Sequence, residues 1–581
     1  MLPHRQLEQR LREAVSAVLP ECAPDDLASV VVRPCAEARF GDYQCVALMA
    51  LAKPRKLNPR RLAEDVLRRL NVSDLCDAAE VAGAGFLNFR LRPATRATAL
   101  AAAAAAPAGP LFFEPANPPR TIIVDFSSPN VAKAMHVGHI RSTILGDCLA
   151  RLLRRLGHRV ITDNHLGDWG TQFGMLIVGW KRDLNADALR ADPLAEMERL
   201  YKKINAECEA NPATLEAARQ ELVKLQSGDP ENLRIWQEMT ALSRAQFDAI
   251  YARLGVKFDH TLGESFYNPR LPGVVEALRD RGIARESDGA LVVFFEDNPE
   301  LKDHPAIVRK RDGGFNYTTT DLATVAYRIE TWQPDEIIYV TDGRQQLHFK
   351  QVFAICRRWL PQTARVRLTH VWFGSILGED GKPFRTRSGE TVKLADLLDE
   401  AEERAYRVVS EKNPELSEPE RRTVARVVGI GAVKYADLLS NRQSDYVFSW
   451  DKMLALSGNT APYLQYAYAR IRSIFRKGNE APSSAPAPTS LELSAPEEIA
   501  LGQHLLNFGF ALEAAAADAR PNFICNYLYE LAGRFAQFYE NCPVLKAQGA
   551  VRASRLTLCD LTARVLAQGL DVLGIEVLER M

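Results

Sequence analysis

The segment from Thr121 to Asp163 limits the possible architectures more than any other stretch of the chain. Thr121-Ile-Ile-Val-Asp-Phe126 is a short apolar, β-branched run, the pattern of a parallel strand buried on both faces. Ser127-Ser-Pro-Asn130 interrupts it. Apolar side chains then recur at Ile144, Leu145, Cys148, Leu149, Leu152, Leu153 and Leu156, spacings that keep one helical face dry. Gly157 suits the left-handed residue beyond a helix end, and His158-Arg-Val-Ile-Thr-Asp163 reads as a second strand. Strand, loop, helix, strand is a βαβ unit. Such units build open parallel sheets whose ligands sit outside the carboxyl ends of the strands.

The rest of the chain arranges itself around that unit. Leu291-Val-Val-Phe-Phe295, Glu336-Ile-Ile-Tyr-Val340 and Thr369-His-Val-Trp-Phe373 return to strand character, while residues 181–255 are charged and helical in period. The expected fold is α/β, with a doubly wound, Rossmann-like catalytic domain over 111–400 that carries a helical insertion at about 181–262. Residues 1–110 read as a small α/β domain plus connector, with an amphipathic helix from Leu7 to Leu19 and a β-branched run from Val30 to Arg33. An alanine-rich helix, Ala99 to Ala106, is closed by Pro107 and Pro110. Residues 401–581 read as an all-α bundle, broken by a flexible Pro-, Ser- and Ala-rich loop between Lys477 and Pro496.

Composition narrows the partners. Lys plus Arg and Asp plus Glu are both 73, so no global positive field draws the chain to DNA or an anionic membrane, and any nucleic acid must be held by local patches. The least polar run, Ala99 to Phe113, is too short to span a bilayer. Ten scattered cysteines without a Cys-x-x-Cys pair argue against structural zinc and for a reducing cytoplasm.

The chemistry concentrates between Asp125 and His139, which supply an acid, an amide, a lysine and two histidines at the start of a helix. A helix N-terminus offers unpaired N–H groups and a partial positive charge, which favours phosphate. His136 and His139, three apart, can share a face and donate to phosphate oxygens, and Gly138 lets a planar ring approach the backbone. A His-x-x-His metal pair is the alternative, but no third ligand lies nearby.

Ser128-Pro-Asn-Val-Ala-Lys-Ala-Met-His-Val-Gly-His-Ile-Arg-Ser142 resembles the "HIGH" signature of class I aminoacyl-tRNA synthetases in its arginyl form. The resemblance continues through His165-Leu-Gly-Asp-Trp-Gly-Thr-Gln-Phe-Gly174, Gly263-Glu-Ser-Phe-Tyr267, Tyr317-Thr-Thr-Thr-Asp321, Ala432-Val-Lys-Tyr-Ala-Asp437 and Asn459 to Arg470, over essentially the whole chain. It implies ATP-dependent attachment of L-arginine to tRNA(Arg) through an arginyl-adenylate, with Mg²⁺ accompanying ATP, no zinc, and a monomer. It also implies an ATP-binding region of Pro129, Asn130, Val131, Ala132, Lys133, Ala134, Met135, His136, Val137, Gly138 and His139. In it, His136 and His139 stabilise phosphate charge and Gly138 makes room for adenine. Arginine itself falls to Asp125, Asn130, Tyr317, Asp321 and Gln345, since a guanidinium has five donors, no acceptor and a fixed charge. A spacing of four puts Tyr317 and Asp321 on one helical face. Ordinary capping roles are the alternatives for Asp125 and Asp321. His348, in the loop Asp342 to His348, also suits ligand contact.

One signature departs from the family. The usual second motif, K-M-S-K-S, corresponds to Gly381-Lys-Pro-Phe-Arg-Thr-Arg-Ser-Gly389, with Thr386 at the second lysine position. Lys382, Arg385 and Arg387 supply charge there, and Lys133 is the nearest candidate to replace the missing lysine. For tRNA, the resemblance points to Phe40, Tyr43 and Gln44 near the N-terminus and to Tyr463, Tyr466, Arg470 and Met581 in the C-terminal bundle. Arg426, Lys434, Arg442 and Arg472 are further candidates for phosphate contact, and Phe538 and Tyr539 for base stacking. Two rival readings remain open at this stage: a small-molecule adenylyltransferase or amino-acid ligase on the same fold, and a non-catalytic tRNA-binding relative. The helical C-terminal third speaks against the first, and the presence of Asn130, His136, His139 and Asp321 against the second.

Overall fold

The computed structural model describes residues 1–106, 109–382, 384, 392–479 and 490–581. Its centre is the strand Thr121–Phe126 (β1), buried from Ile122 onward. β1 pairs in parallel with Arg159–Asp163 (β2) on one side and Glu336–Asp342 (β3) on the other; β3 in turn pairs with Arg367–Phe373 (β4). The order β4-β3-β1-β2 reverses direction between β1 and β3, so the crevice outside their carboxyl ends is the switch point where such sheets take ligands. Side chains alternate along β1: Ile122, Val124 and Phe126 join one core cluster and Ile123 the other, the period of two that a doubly covered strand requires.

The helix Val137–Arg155 (α1) crosses from β1 to β2, and Gly157 takes φ +90° just beyond it. A Cβ at Gly146 would stand 2.2 Å from Phe126 Cγ, so this glycine lets α1 lie directly on β1. Helices from Gln172–Asp183 to Pro230–Leu254 follow β2. On the opposite sheet face lie Tyr317–Trp332 (α2) and Gln346–Trp359 (α3), whose Leu322, Val325, Phe349 and Val352 bury against Ile123 and Tyr339.

The run at Leu291–Phe295 is a strand but not part of this sheet. Ala290–Val293 is the middle of an antiparallel trio with Arg285–Ser287 and Ala306–Arg309. Asp288-Gly289, both at positive φ, form a two-residue hairpin turn, which returns the chain antiparallel and commits the run to local pairing.

The N-terminal unit is a four-stranded antiparallel sheet flanked by helices, the first spanning Pro3–Val18. Of the run Val30 to Arg33, only Arg33 pairs as strand; Val30 and Val32 bury in the core. The alanine-rich helix spans Pro93–Ala105, and Pro107 lies outside the described residues. The C-terminal part contains Leu394–Lys412 (α4), Glu418–Leu439 (α5), Ala461–Lys477 (α6) and Gly549–Val572 (α7), with three further helices between α6 and α7 among the described residues. It is not purely helical: Ile376–Leu377 (β5) pairs in parallel with Tyr446–Val447 (β6). Most of the loop from Lys477 to Pro496 lies outside the described residues. The ten cysteines are unpaired, and among the described residues no helix is long and apolar enough to cross a membrane.

Candidate active site

Beyond β1 the chain takes a conformation that L residues avoid. Ser127, Ser128 and Ala132 have φ of +75°, +50° and +62°. Buried hydrogen bonds hold them there. Ser127 Oγ pairs with Thr143 Oγ1 and Tyr251 OH, each at 2.8 Å; Ser128 N–H donates to Asn164 Oδ1 at 3.0 Å, and Ala132 N–H to Ser243 Oγ at 3.0 Å. Pro129, Val131, Ala132, Met135 and Val137 are buried, so their side chains anchor the loop and only their backbone can meet a ligand. Asn130 is exposed; its Oδ1 lies over Gly167, where a Cβ would stand 2.0 Å away.

The loop ends in a cap made by the two histidines. His136 Nδ1 accepts from Gly138 N–H at 3.0 Å, and His139 Nδ1 accepts from His136 N–H at 3.1 Å. Their rings lie 4.0 Å apart. With each Nδ1 accepting, the neutral ring carries its proton on Nε2. Burial lowers both pKa values, His139 to about 3, so near pH 7 the pair offers two neutral N–H donors and no charge. A Cβ at Gly138 would stand 2.7 Å from His136 Cε1, so this glycine lets the capping ring close on the helix start. Full charges stand nearby: Lys133 and Arg344 both contribute to lowering His136. Lys133 is exposed, its Nζ 5.3 Å from the Tyr201 ring centroid, a cation–π contact to the insertion. Arg344 is held on Asp342 at 2.8 and 3.0 Å.

The chain that follows the second-signature segment runs beside this loop. Val137 N–H donates to Val392 C=O and Leu394 N–H to Met135 C=O, each at 2.9 Å. Lys382 is exposed in a turn closed by Gly378 N–H to Lys382 C=O at 2.7 Å. Arg385, Thr386 and Arg387 lie outside the described residues.

Carboxylates line the other side of the crevice. Tyr317, on the first turn of α2, is 64% exposed, and Asp321 follows one turn later. Asp321 Oδ2 meets His348 Nε2 at 2.5 Å, and Tyr317 stands edge-on to His348 with centroids 4.7 Å apart. Gln345 is exposed at the end of the turn after β3, while Gln346 opens α3 half-buried. Asp125 is a correction. Register places it beside Asp163, and two buried carboxylates need a cation. Fully buried Arg328 of α2 meets both, at 2.6 and 2.9 Å. The guanidinium on Asp125 is therefore the protein's own.

Sequence reasoning assigned no role to Glu264, which shares this electrostatic environment. Loss of hydration pushes its carboxyl up to about 7 against the pull of His165, and Asp321 and Asp168 push the same way. Asp168 is buried, accepting from Ser265 N–H at 2.8 Å and Ser265 Oγ at 2.7 Å; a Cβ at Gly263 would stand 2.2 Å from its Oδ2. The available signal was the pair of motifs at 165–174 and 263–267, which folding joins through this contact.

The nucleic-acid candidates divide. Phe40 is 43% exposed, with Arg39 over its ring, and Gln44 is half-buried. Tyr43 is fully buried against His4 and Phe510, which removes it from any stacking role. On α6, Tyr466 is exposed, Tyr463 packs edge-on to Tyr529, and exposed Arg470 lies over Tyr539. Tyr466 and Met581 line an apolar cavity of about 330 Å³ with Val409, Val424 and Leu454. Other candidates are spent internally. Lys434 is buried on Gly574 C=O at 2.7 Å, Arg442 donates to Ala519 C=O, Arg426 and Arg472 pair with Glu576 and Glu579, and Phe538 is core.

Comparison with known proteins accounts for most of the chain. Residues 113–450 match the catalytic domain of class I (R) tRNA synthetases, residues 464–581 the DALR anticodon binding domain, and residues 5–91 the arginyl tRNA synthetase N terminal domain. A protein of Chromobacterium violaceum called arginine–tRNA ligase is 46% identical, with 100% of both chains covered. One of that name from Cellvibrio japonicus is 47% identical over 98% of this chain and 99% of its own. Among solved structures, the Thermus thermophilus arginyl-tRNA synthetase superposes with a TM-score of 0.82 at 27% identity, covering 100% of both chains. That of Plasmodium falciparum gives 0.82 at 29%, covering 100% of this chain and 99% of the other.

Proposed function

The chain belongs to the arginyl-tRNA synthetase family of class I aminoacyl-tRNA synthetases, and from that premise we propose how its crevice divides the work. It charges tRNA(Arg) with L-arginine at the expense of ATP, in translation. The arginine carboxylate attacks the α-phosphorus, pyrophosphate leaves, and the arginyl group then passes from AMP to the terminal adenosine of the tRNA.

The phosphate end is the loop and cap at the start of α1. His136 and His139 donate Nε2–H to the phosphates as charge moves onto the leaving group, and the fixed orientation of these dipoles lowers the barrier without reorganisation. Lys133 supplies the full positive charge that Thr386 lacks, with Lys382, Arg385 and Arg387 at the loop edge. Mg²⁺ arrives with ATP. The amino-acid end is Asp321, Tyr317 and Glu264 for the guanidinium, and Asn130 and Gln345 for the α-amino and carboxylate groups. The observation that carries this division is the carboxylate group of Asp321, Glu264 and Asp168. Burial, with repulsion from Asp321 and Asp168, pushes Glu264 up to about 7, and the substrate's guanidinium supplies a cation to the group. Phe40, Gln44, Tyr463, Tyr466, Arg470 and Met581 are the proposed tRNA contacts, and the unpaired cysteines support a cytoplasmic enzyme.

Arginine-dependent ATP–pyrophosphate exchange, with and without tRNA(Arg), tests the reading. We expect exchange with arginine only when tRNA is present, followed by arginyl-tRNA formation. Exchange with arginine but no charging would favour a small-molecule ligase, and neither activity would favour a non-catalytic tRNA-binding protein.

A further inference from the structure

Asp321 does not stand alone in the crevice. Its Oδ2 is engaged by His348 Nε2 at 2.5 Å, and among the described residues the carboxylate has no other hydrogen bond. Both side chains are largely enclosed, 19% and 12% exposed. A carboxylate rotates broadly about its last torsion, so an unheld Asp321 would spread its oxygens over many directions. His348 cannot follow such a rotation. Its ring is fixed edge-on by Tyr317 at 4.7 Å and by Phe349 at 5.2 Å, and it sits on the first turn of α3, whose Phe349, Val352 and Phe353 are buried.

From this arrangement we infer that His348 is a positioning residue for arginine selection. By donating Nε2–H to Oδ2 it fixes the Asp321 carboxylate so that Oδ1 is left to meet a guanidinium N–H. The same ring seats Tyr317, so one imidazole orients both members of the pair four apart on α2. The inference rests on the reading of Asp321 as the guanidinium's partner. It extends that reading by making the direction of the carboxylate, and not its charge alone, part of the selectivity. A group held in advance of binding loses less freedom when the ligand arrives, which is where the affinity gain lies.

Two amides separate this role from packing. Glutamine carries an amide nitrogen near the place of imidazole Nε2, and asparagine near that of Nδ1. In tRNA-dependent pyrophosphate exchange we expect His348→Ala and His348→Asn each to raise the arginine KM about tenfold. The ATP KM and kcat should stay within about twofold, and His348→Gln should recover most of the loss. Asp321→Asn combined with His348→Ala should raise the arginine KM by less than the product of the two single effects. The inference is overturned if Asp321→Asn raises the arginine KM while His348→Ala and His348→Asn leave it unchanged. It is equally overturned if the arginine and ATP KM values rise together without rescue by glutamine, the mark of a packing defect. An unchanged arginine KM in Asp321→Asn would instead remove the underlying reading of Asp321.

Discussion

The two halves of the crevice solve opposite electrostatic problems with different materials. At the phosphate end the ligand is a polyanion, yet the residues pressed closest are neutral: two histidines held uncharged by burial, each with Nδ1 spent on a backbone N–H. The full charges, Lys133 and Arg344, stand further out. At the amino-acid end the ligand is a cation, and the protein sets carboxylates close together, where burial first, and then Asp321 and Asp168, push Glu264 up to about 7. The first half relies on fixed dipoles and the second on clustered carboxylates. The contrast with Asp125 is instructive. There the protein supplies the cation itself, with Asp125 and Asp163 sharing the buried Arg328.

The largest expected effect falls on the phosphate end. Lys133→Ala should slow single-turnover adenylate formation by about two to three orders of magnitude, the scale of losing one preorganised donor to developing charge. The arginine KM should change little, because the amino-acid end is built from other elements. Replacing Thr386 by Lys in that background should restore part of the rate. A near-wild-type rate in Lys133→Ala with a large loss in Arg387→Ala would move the charge to the second-signature loop and blur the division between the halves.

A smaller effect sharpens the other half. Glu264 has a pKa raised above its ordinary value, so the empty site binds a proton that the unfolded chain would release. A guanidinium favours the ionised carboxylate. Arginine binding should therefore release this proton, and kcat/KM for arginine should rise with pH as Glu264 ionises through about 7. Between pH 6 and pH 8 the rise should approach tenfold, and Glu264→Gln should flatten it while lowering the plateau. For stability the sign is reversed. Ionising this raised group costs folding free energy, so Glu264→Gln should gain thermal stability relative to the wild type above pH 7, and less so near pH 5, below the folded pKa. A pH profile unchanged in Glu264→Gln would mean that another group titrates.

Sequence reading and structure agree where function is written in contiguous residues. The β1 strand, the loop Ser127–Asn130, the two histidines and α1 form one run, and a period of two passing into a helical period can be read directly. The spacing of Tyr317 and Asp321 on α2 was legible for the same reason. What was not legible depended on pairing at a distance. The neutralisation of Asp125 needs a residue 203 positions away, the acid triad joins residues 168, 264 and 321, and Tyr43 is buried by the C-terminal Phe510. The strand at Ala290–Val293 looked like a sheet member because its composition is that of one; its Asp-Gly turn decided the partner. For arginines expected on the tRNA surface, sequence gives the charge but not the acid beside it, as with Glu576 at Arg426 and Glu579 at Arg472.

The central claim is that the carboxylates of α2 and of the turn at Glu264 read the guanidinium while the α1 cap handles phosphate. Its most direct test is the pair of KM values, for arginine and for ATP, of Asp321→Asn in tRNA-dependent pyrophosphate exchange. Removing one charge-assisted hydrogen bond should raise the arginine KM by about ten- to a hundredfold and leave the ATP KM unchanged. An unchanged arginine KM, or an equal rise in both, would contradict the account.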